Sequence, residues 1–142
     1  MEDEIFQSVW RVNVLHPVYL AKVLAKKLME RDQRCAVLIT SSMAAYLVKG
    51  TYSATKVAVS NFGESIHYEL KQNADVLVWE PGYVHSNIHT KAPPGLLTMS
   101  TKKAVSDALD KLGKNRKTLG SLLFYFYTYL SFLTPSTANF AR

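Results

Sequence analysis

From Ile5 to Met29 the apolar positions leave almost no polar face: Ile5, Phe6, Val9, Trp10, Val12, Val14, Leu15, Val18, Leu20, Val23, Leu24 and Leu28. A helix that is apolar on most sides has to be covered, in a core or by another chain. Pro17 lies inside this stretch, and its missing N–H predicts a kink or break near His16. After the polar turn "RDQR", the run "CAVLIT" (35–40) is apolar without alternation. That pattern predicts a central parallel strand covered on both faces. "SSMAAYLVKG" reads as a loop. From Thr51 to about Gln72, Ala54, Ala58, Phe62, Ile66 and Leu70 recur every fourth residue with Val59 beside them, which predicts an amphipathic helix. Tyr52, Lys56 and Gly63 fall on the border of its stripe, where a helix meets a cleft. "DVLVWE" (75–80) is a second apolar run, stopped by Pro81-Gly82.

Helix, strand, helix, strand in this order implies an α/β fold with parallel strands and right-handed crossovers. In such sheets the ligand crevice lies beyond the carboxyl ends of the strands. Ser41 and Ser42 follow the first strand, Pro81 to Ser86 follow the second, and Tyr52 opens the helix between them. All three pieces are expected at one edge. Two strands alone would leave each with an edge open to water or to a partner.

Composition narrows the class. A chain of 142 residues with 48% hydrophobic content is one domain's worth of globular protein and not a disordered segment. The single cysteine, Cys35, excludes an internal disulfide and reads as a small buried apolar residue. The start "MEDEIF" has neither the basic region nor the apolar run of a signal peptide, so an intracellular protein is expected. The net charge of +6 is uneven: Lys102, Lys103, Lys111, Lys114, Arg116 and Lys117 crowd into a short stretch. Such a cluster can attract nucleic acid, anionic lipid or an anionic substrate, or can be a solvated helix face. No nucleic-acid motif accompanies it, and no nucleic acid is expected.

"LGSLLFYFYTYLSFL" (119–133) is fifteen residues without a charge, six of them aromatic. It is shorter than the about 20 residues of a spanning helix. Residues 118–133 are therefore expected at a membrane interface or lining an apolar substrate pocket, with a buried terminal helix as the plain alternative. His16 reads as a core or interface histidine. His85 and His89 have a metal-ligand spacing but sit in a post-strand loop beside no acidic partner, so no metal is expected.

Tyr52 and Lys56 are four residues apart, which sets both on one helical face. A phenol with a pKa of about 10 becomes a usable proton donor near neutrality when a cation stands beside it. "VNV" (12–14), "ITSS" ending a strand, "YSATK" opening the next helix and "EPGYVHS" ending the next strand occur around this pair. Together, over residues 5 to 90, they resemble the second half of a short-chain dehydrogenase/reductase. The resemblance implies a partial Rossmann-type domain, doubly wound with parallel strands, that lacks the N-terminal dinucleotide-binding half. Residues 1–98 would be the catalytic half, and 99–142 a basic and then aromatic helical segment touching substrate or membrane.

The resemblance also implies roles. Tyr52 would be the general acid that protonates a carbonyl oxygen as hydride arrives. Lys56 would lower the phenol's pKa and bond the nicotinamide ribose, and Ser42 would hold the carbonyl oxygen. Asn13 would anchor the water linking Lys56 to solvent. Pro81, Gly82, Val84 and Ser86 would border the nicotinamide of NADP(H) or NAD(H), with Ser86 where the family usually has threonine. Lys91 and the "KAPPG" turn (Pro93, Pro94, Gly95) resemble the family's substrate loop. The gap from Ser42 to Tyr52 is ten residues, shorter than is usual in the family, and Ser41 is the alternative to Ser42. The six glycines form no phosphate-cradling cluster.

Within the family the sequence looks most like the membrane-associated branch of 3-oxoacyl-CoA reductases and 17β-hydroxysteroid dehydrogenases. Two functions follow as expectations. One is a ketone/alcohol oxidoreductase acting on a lipid-like substrate. The other is an inactive relative kept as a structural or assembly subunit, forming homo- or hetero-oligomers through helices 5–29 and 51–72.

Overall fold

A computed structural model describes residues 3–47, 50–87 and 98–133. The chain begins with helix α1 (Asp3–Trp10), passes through a π-helical turn (Arg11–Leu15) and continues as α2 (His16–Met29). Pro17 does not break it. Trp10 and Leu15 both keep right-handed helical dihedrals, so the chain stays helical throughout. Proline removes the N–H that would bond four residues back, at Asn13, and the widened turn falls on the residues where that bond is lost.

Strand β1 (Cys35–Thr40) is followed by a 3₁₀ turn (Met43–Tyr46), helix α3 (Gly50–Leu70) and strand β2 (Ala74–Trp79). β1 pairs parallel to β2 in register from Cys35↔Ala74 to Thr40↔Trp79, so α3 is the crossover the sequence predicts. The sheet has a third strand that the sequence did not reveal. After two short parallel strands, β3 (Tyr83–His85) and β4 (Thr98–Ser100), and helix α4 (Thr101–Leu109), the chain enters β5 (Lys117–Thr118) and ends its described part in α5 (Leu122–Leu133). β5 pairs with Val78 and Trp79, giving the order β1-β2-β5. Two residues with a lysine among them carry no strand periodicity, so only the pairing identifies β5. The segment from residue 99 on therefore contains strand as well as helix.

That order corrects the reading of β1. The central strand is β2, with Val76, Leu77 and Val78 fully buried. Among the described residues β1 is an edge: Ala36, Leu38 and Thr40 are exposed on one face while Ile39 is buried on the other. An unalternating apolar run marks a strand built for two covered faces, and here one of them is bare. α1 and α2 are bare in the same way. They bury no residue completely, and Val12, Tyr19 and Val23 are each more than 60% exposed. His16 is exposed and is no core histidine, whereas Cys35 is half-buried against the core.

The inward face of α3 is rotated from the predicted stripe. Ser53, Thr55, Val59, Ser60, Gly63, Ile66 and Leu70 are buried, whereas Ala54 is exposed. Gly63 lies against the sheet and not at a cleft border: a Cβ there would stand 2.6 Å from Val78 Cγ2 and 3.1 Å from Ile39 Cδ1. At this point the helix rides so close to β1 and β2 that glycine alone fits without displacing a neighbour. Ile39, Val59, Ile66, Leu70, Ala74 and Val76 make one core cluster; Met43, Met99, Ala104, Leu119 and Phe124 make a second near the strand ends.

The basic stretch is dispersed. Lys103 pairs with Asp107, Lys117 with Glu64, and Arg116 bonds the Tyr68 hydroxyl. Gly113, between Lys111 and Lys114, stands against Asp75 at the start of β2, while α5 packs at the opposite end of that strand. The basic turn therefore does not flank the aromatic helix. No helix among the described residues is long and apolar enough to cross a membrane.

Replacing Gly63 by alanine forces a methyl group onto a stiff, buried valine. Overpacking of this kind costs about 1–3 kcal/mol, so Gly63→Ala is expected to lower the denaturant midpoint clearly. An unchanged midpoint in urea unfolding would show that α3 can lift off the sheet.

Candidate active site

The hydrogen-bond ladder between β1 and β2 runs on past the strands. Ser41 N–H donates to Trp79 O at 2.8 Å, and Met43 N–H donates to Pro81 O at 2.9 Å. These bonds hold the two strand exits side by side. Ser42 then leaves the sheet in an extended conformation, and its Oγ accepts the Ala44 N–H at 3.1 Å, capping the 3₁₀ turn. Ser42 is thereby set in the wall of a cleft of about 780 Å³. Ser41 also borders it, but its buried Oγ donates to Lys56 O at 2.8 Å and is committed to tying α3 to β1. Of the two serines, Ser42 is the one placed to meet a ligand.

Gly50 opens α3 with φ of +60°, a left-handed conformation that glycine adopts without strain. Tyr52 follows in the first turn, 46% exposed, and lines the cleft. Lys56 lines it one turn later, with Nζ 5.6 Å from the centre of the Tyr52 ring. Burial holds the Lys56 ammonium below the ordinary lysine pKa.

Asn13 enters the cleft from the π-helical turn. Its Nδ2 donates to Thr55 Oγ1 at 3.1 Å, and the fully buried Thr55 hydroxyl donates in turn to Tyr52 O at 2.7 Å. The turn of helix that carries Tyr52 is thus tied to the widened turn that carries Asn13. Sequence reasoning missed Thr55; its place three residues after Tyr52 on the inward face was the available signal.

Pro81, Gly82, Val84 and Ser86 form the facing wall. A Cβ on Gly82 would lie 2.7 Å from the ring of the buried Phe124, so the glycine admits α5 at close range. Tyr127, one turn beyond Phe124, lines the cleft from α5. The aromatic segment thus contributes to the pocket wall through a residue that sequence reasoning did not single out. Every candidate site residue lies in this one cleft.

The His85 backbone carbonyl accepts the Thr101 hydroxyl, while His89, Lys91, Pro93, Pro94 and Gly95 lie outside the described residues. Among the described residues no cluster of His, Cys, Asp or Glu could hold a metal. The Tyr52 hydroxyl, the Lys56 ammonium and the Pro81-Gly82 turn fit the ribose and nicotinamide end of a dinucleotide. Among the described residues, Lys56 is the only cation in the lining, and no glycine-rich turn borders it to receive a pyrophosphate.

A family model described as short chain dehydrogenase matches residues 1–96. "Dehydrogenase/reductase SDR family member 7B" of Mus musculus is 30% identical over 129 residues, covering 80% of this chain and 40% of that protein. "L-rhamnose 1-dehydrogenase (NADP(+))" of Thermoplasma acidophilum is 30% identical over 90 residues, covering 61% of this chain and 35% of that one. A short chain dehydrogenase of Burkholderia cenocepacia, solved in complex with NADP, has the same fold at a TM-score of 0.80 and 17% identity, over 97% of this chain and 60% of its own. The chain spans less than half the length of the curated relatives it matches. With the family model covering well over half of its residues and the four motifs gathered at one cleft, the chain belongs to the short-chain dehydrogenase family.

Proposed function

We propose that this cleft is the carbonyl- and nicotinamide-facing part of an NADP(H)-dependent oxidoreductase that interconverts ketone and alcohol on a lipid-like substrate. The observation that carries the reading is the convergence of Asn13, Ser42, Tyr52 and Lys56 on one cavity, opposite the Pro81-Gly82 turn. Tyr52, Lys56 and the Pro81-Gly82 turn would hold the nicotinamide, which when bound would supply a hydride to the carbonyl carbon. The carbonyl π pair then moves onto oxygen, which takes the Tyr52 hydroxyl proton. Ser42 orients that oxygen, and Lys56 stabilises the phenolate left behind. Among the similar proteins the names of two specify NADP and those of three specify NAD or NADH; NADP(H) is taken here because the curated relative that names its cofactor, at 30% identity, names NADP(+). The lipid-like class, 3-oxoacyl-CoA or steroid, rests on Met43, Leu47, Trp79, Val84 and Tyr127 in the lining. The pyrophosphate grip would come from residues other than the glycines of this chain.

Tyr52→Phe is expected to lower ketone-dependent NADPH oxidation by about 10²–10⁴-fold, with NADPH binding, followed by fluorescence, retained. Wild-type protein that is folded by circular dichroism, yet neither binds NADPH nor oxidises it, would overturn the reading.

Lys56 gives a second expectation. Its folded-state pKa is depressed by burial, so the unfolded chain binds the extra proton and charging Lys56 opposes folding below that pKa. Lys56→Met should therefore melt higher than wild type at pH 7, and the difference should shrink as the pH rises toward 10.5, the ordinary lysine value. A variant that melts lower at pH 7 would place the ammonium in a stabilising contact instead.

A second reading, an assembly subunit, is favoured by one observation: the apolar surface of α1 and α2 is bare. In this reading the helices near 5–29 and 51–72 pack on a second copy or on a homologue. Tyr19→Glu with Val23→Glu should dissociate that complex in size-exclusion chromatography without altering the fold. Unchanged elution of the double variant would remove this interface from consideration.

A further inference from the structure

Glu80 reads in the sequence as the polar end of an apolar strand, yet its side chain is 0% exposed. Its Oε2 accepts the Tyr46 hydroxyl proton at 2.6 Å, and its Oε1 accepts the Ser60 hydroxyl at 2.6 Å. Lys117 Nζ stands 3.7 Å from the same Oε1 and 2.5 Å from Glu64 Oε1, while its charge lies 5.6 Å over the Tyr46 ring. Glu80 N–H also donates to Thr118 O at 2.8 Å. One carboxylate is thus gripped by the 3₁₀ turn, by α3 and by β5.

The anchors are spaced along the chain in a telling way. Tyr46 is four residues after Ser42, Ser60 is four after Lys56, and Glu80 directly precedes Pro81. Each is one turn or one residue from a group in the cleft wall. The backbone bond from Met43 N–H to Pro81 O crosses beside them. Burial, and then the bond to Glu80, push the Tyr46 phenol well above the ordinary tyrosine pKa, so it stays a donor across the working pH range. A buried ion pair is often replaceable by apolar residues without loss of stability, so stability alone does not account for this arrangement. What it does supply is one fixed spacing of three chain segments that are remote in sequence.

We infer that Glu80 is the positioning residue of this site: its carboxylate locks the Ser42 turn, the Tyr52–Lys56 helix and the Pro81-Gly82 turn into one geometry around the cleft. The lock makes no contact with the reacting atoms. Its catalytic consequence rests on the oxidoreductase reading above; the lock itself does not.

The test uses the full chain and the variants Glu80→Gln and Tyr46→Phe. Tyr46→Phe leaves the carboxylate its bonds to Ser60 and Lys117, so it carries the test if Glu80→Gln does not fold. In native-state hydrogen exchange, the Met43, Ala45 and Leu47 amides should open about tenfold faster or more, while the Val37–Ile39 and Val76–Val78 amides stay within about twofold of wild type. In ketone reduction kcat should fall about tenfold with KM little changed, the pattern of a displaced proton donor and not of lost binding. Uniform acceleration of all these amides would make Glu80 a general stability element, and no acceleration would make it idle; either overturns the inference. Wild-type protein without turnover would defeat the oxidoreductase reading alone, because the exchange pattern still decides the lock.

Discussion

Everything at the cleft depends on how closely α3 approaches β1 and β2. Parallel strands cannot be joined by a tight turn, so a helix has to cross over the sheet between them. Here the crossing helix presses Gly63 onto Val78 and Ile39, and buries Thr55 and Ser60. That approach fixes the height of the helix above the strand exits. With the height fixed, Tyr52 and Lys56, on the first turns, stand beside Ser42 and the Pro81-Gly82 turn with no further adjustment. A helix held off by one methyl group would carry the same sequence and a different site.

The small residues that permit this approach are polar, and their hydroxyls are used. Ser41 bonds Lys56 O, Thr55 links Asn13 to Tyr52 O, and Ser60 bonds Glu80. Each bond joins α3 to a different neighbour: β1, the π-helical turn and the end of β2. Apolar packing brings the helix down, and these bonds determine its rotation and its slide along the sheet. Directional bonds suit that task, because apolar contacts of similar area tolerate small shifts.

The sequence was legible where one signal governed the outcome. "CAVLIT" is a strand over the six residues predicted, and the crossover and its parallel pairing follow from element order. All eight candidate site residues, Asn13 through Ser86, meet in one cavity because their motifs lie at strand exits and a helix start, which topology brings together. Errors arose where tertiary contacts overrode a local pattern. The stripe at Ala54 and Ala58 was rotated because the Thr55 and Ser60 hydroxyls find hydrogen-bond partners inside, so polar positions that the apolar pattern passed over face inward. Pro17, expected to kink or break the helix, left it continuous, since a π-helical turn absorbs the lost bond. β1 reads as central from its composition but is an edge in space, and β5 is too short for any periodicity. Glu80 drew no reading beyond the end of the run "DVLVWE", because no sequence pattern marks a carboxylate whose partners come from three other segments.

The polar atoms around the cleft fall into two groups. The scaffold atoms, on Ser41, Asn13, Thr55, Ser60, Tyr46 and Glu80, are all held by hydrogen bonds within the chain. Among the described residues, no hydrogen bond holds the Tyr52 hydroxyl or the Lys56 ammonium; the two share only the contact of cation and ring. With those scaffold atoms satisfied and the half-buried Lys56 ammonium facing the cavity beside the partly exposed phenol, the cost of burial falls on the ammonium. The depressed pKa of Lys56 shows the direction of that cost. A ligand with an oxygen to present to both groups would relieve it. This asymmetry between committed scaffold and uncommitted pair sets the cleft apart from the rest of the fold.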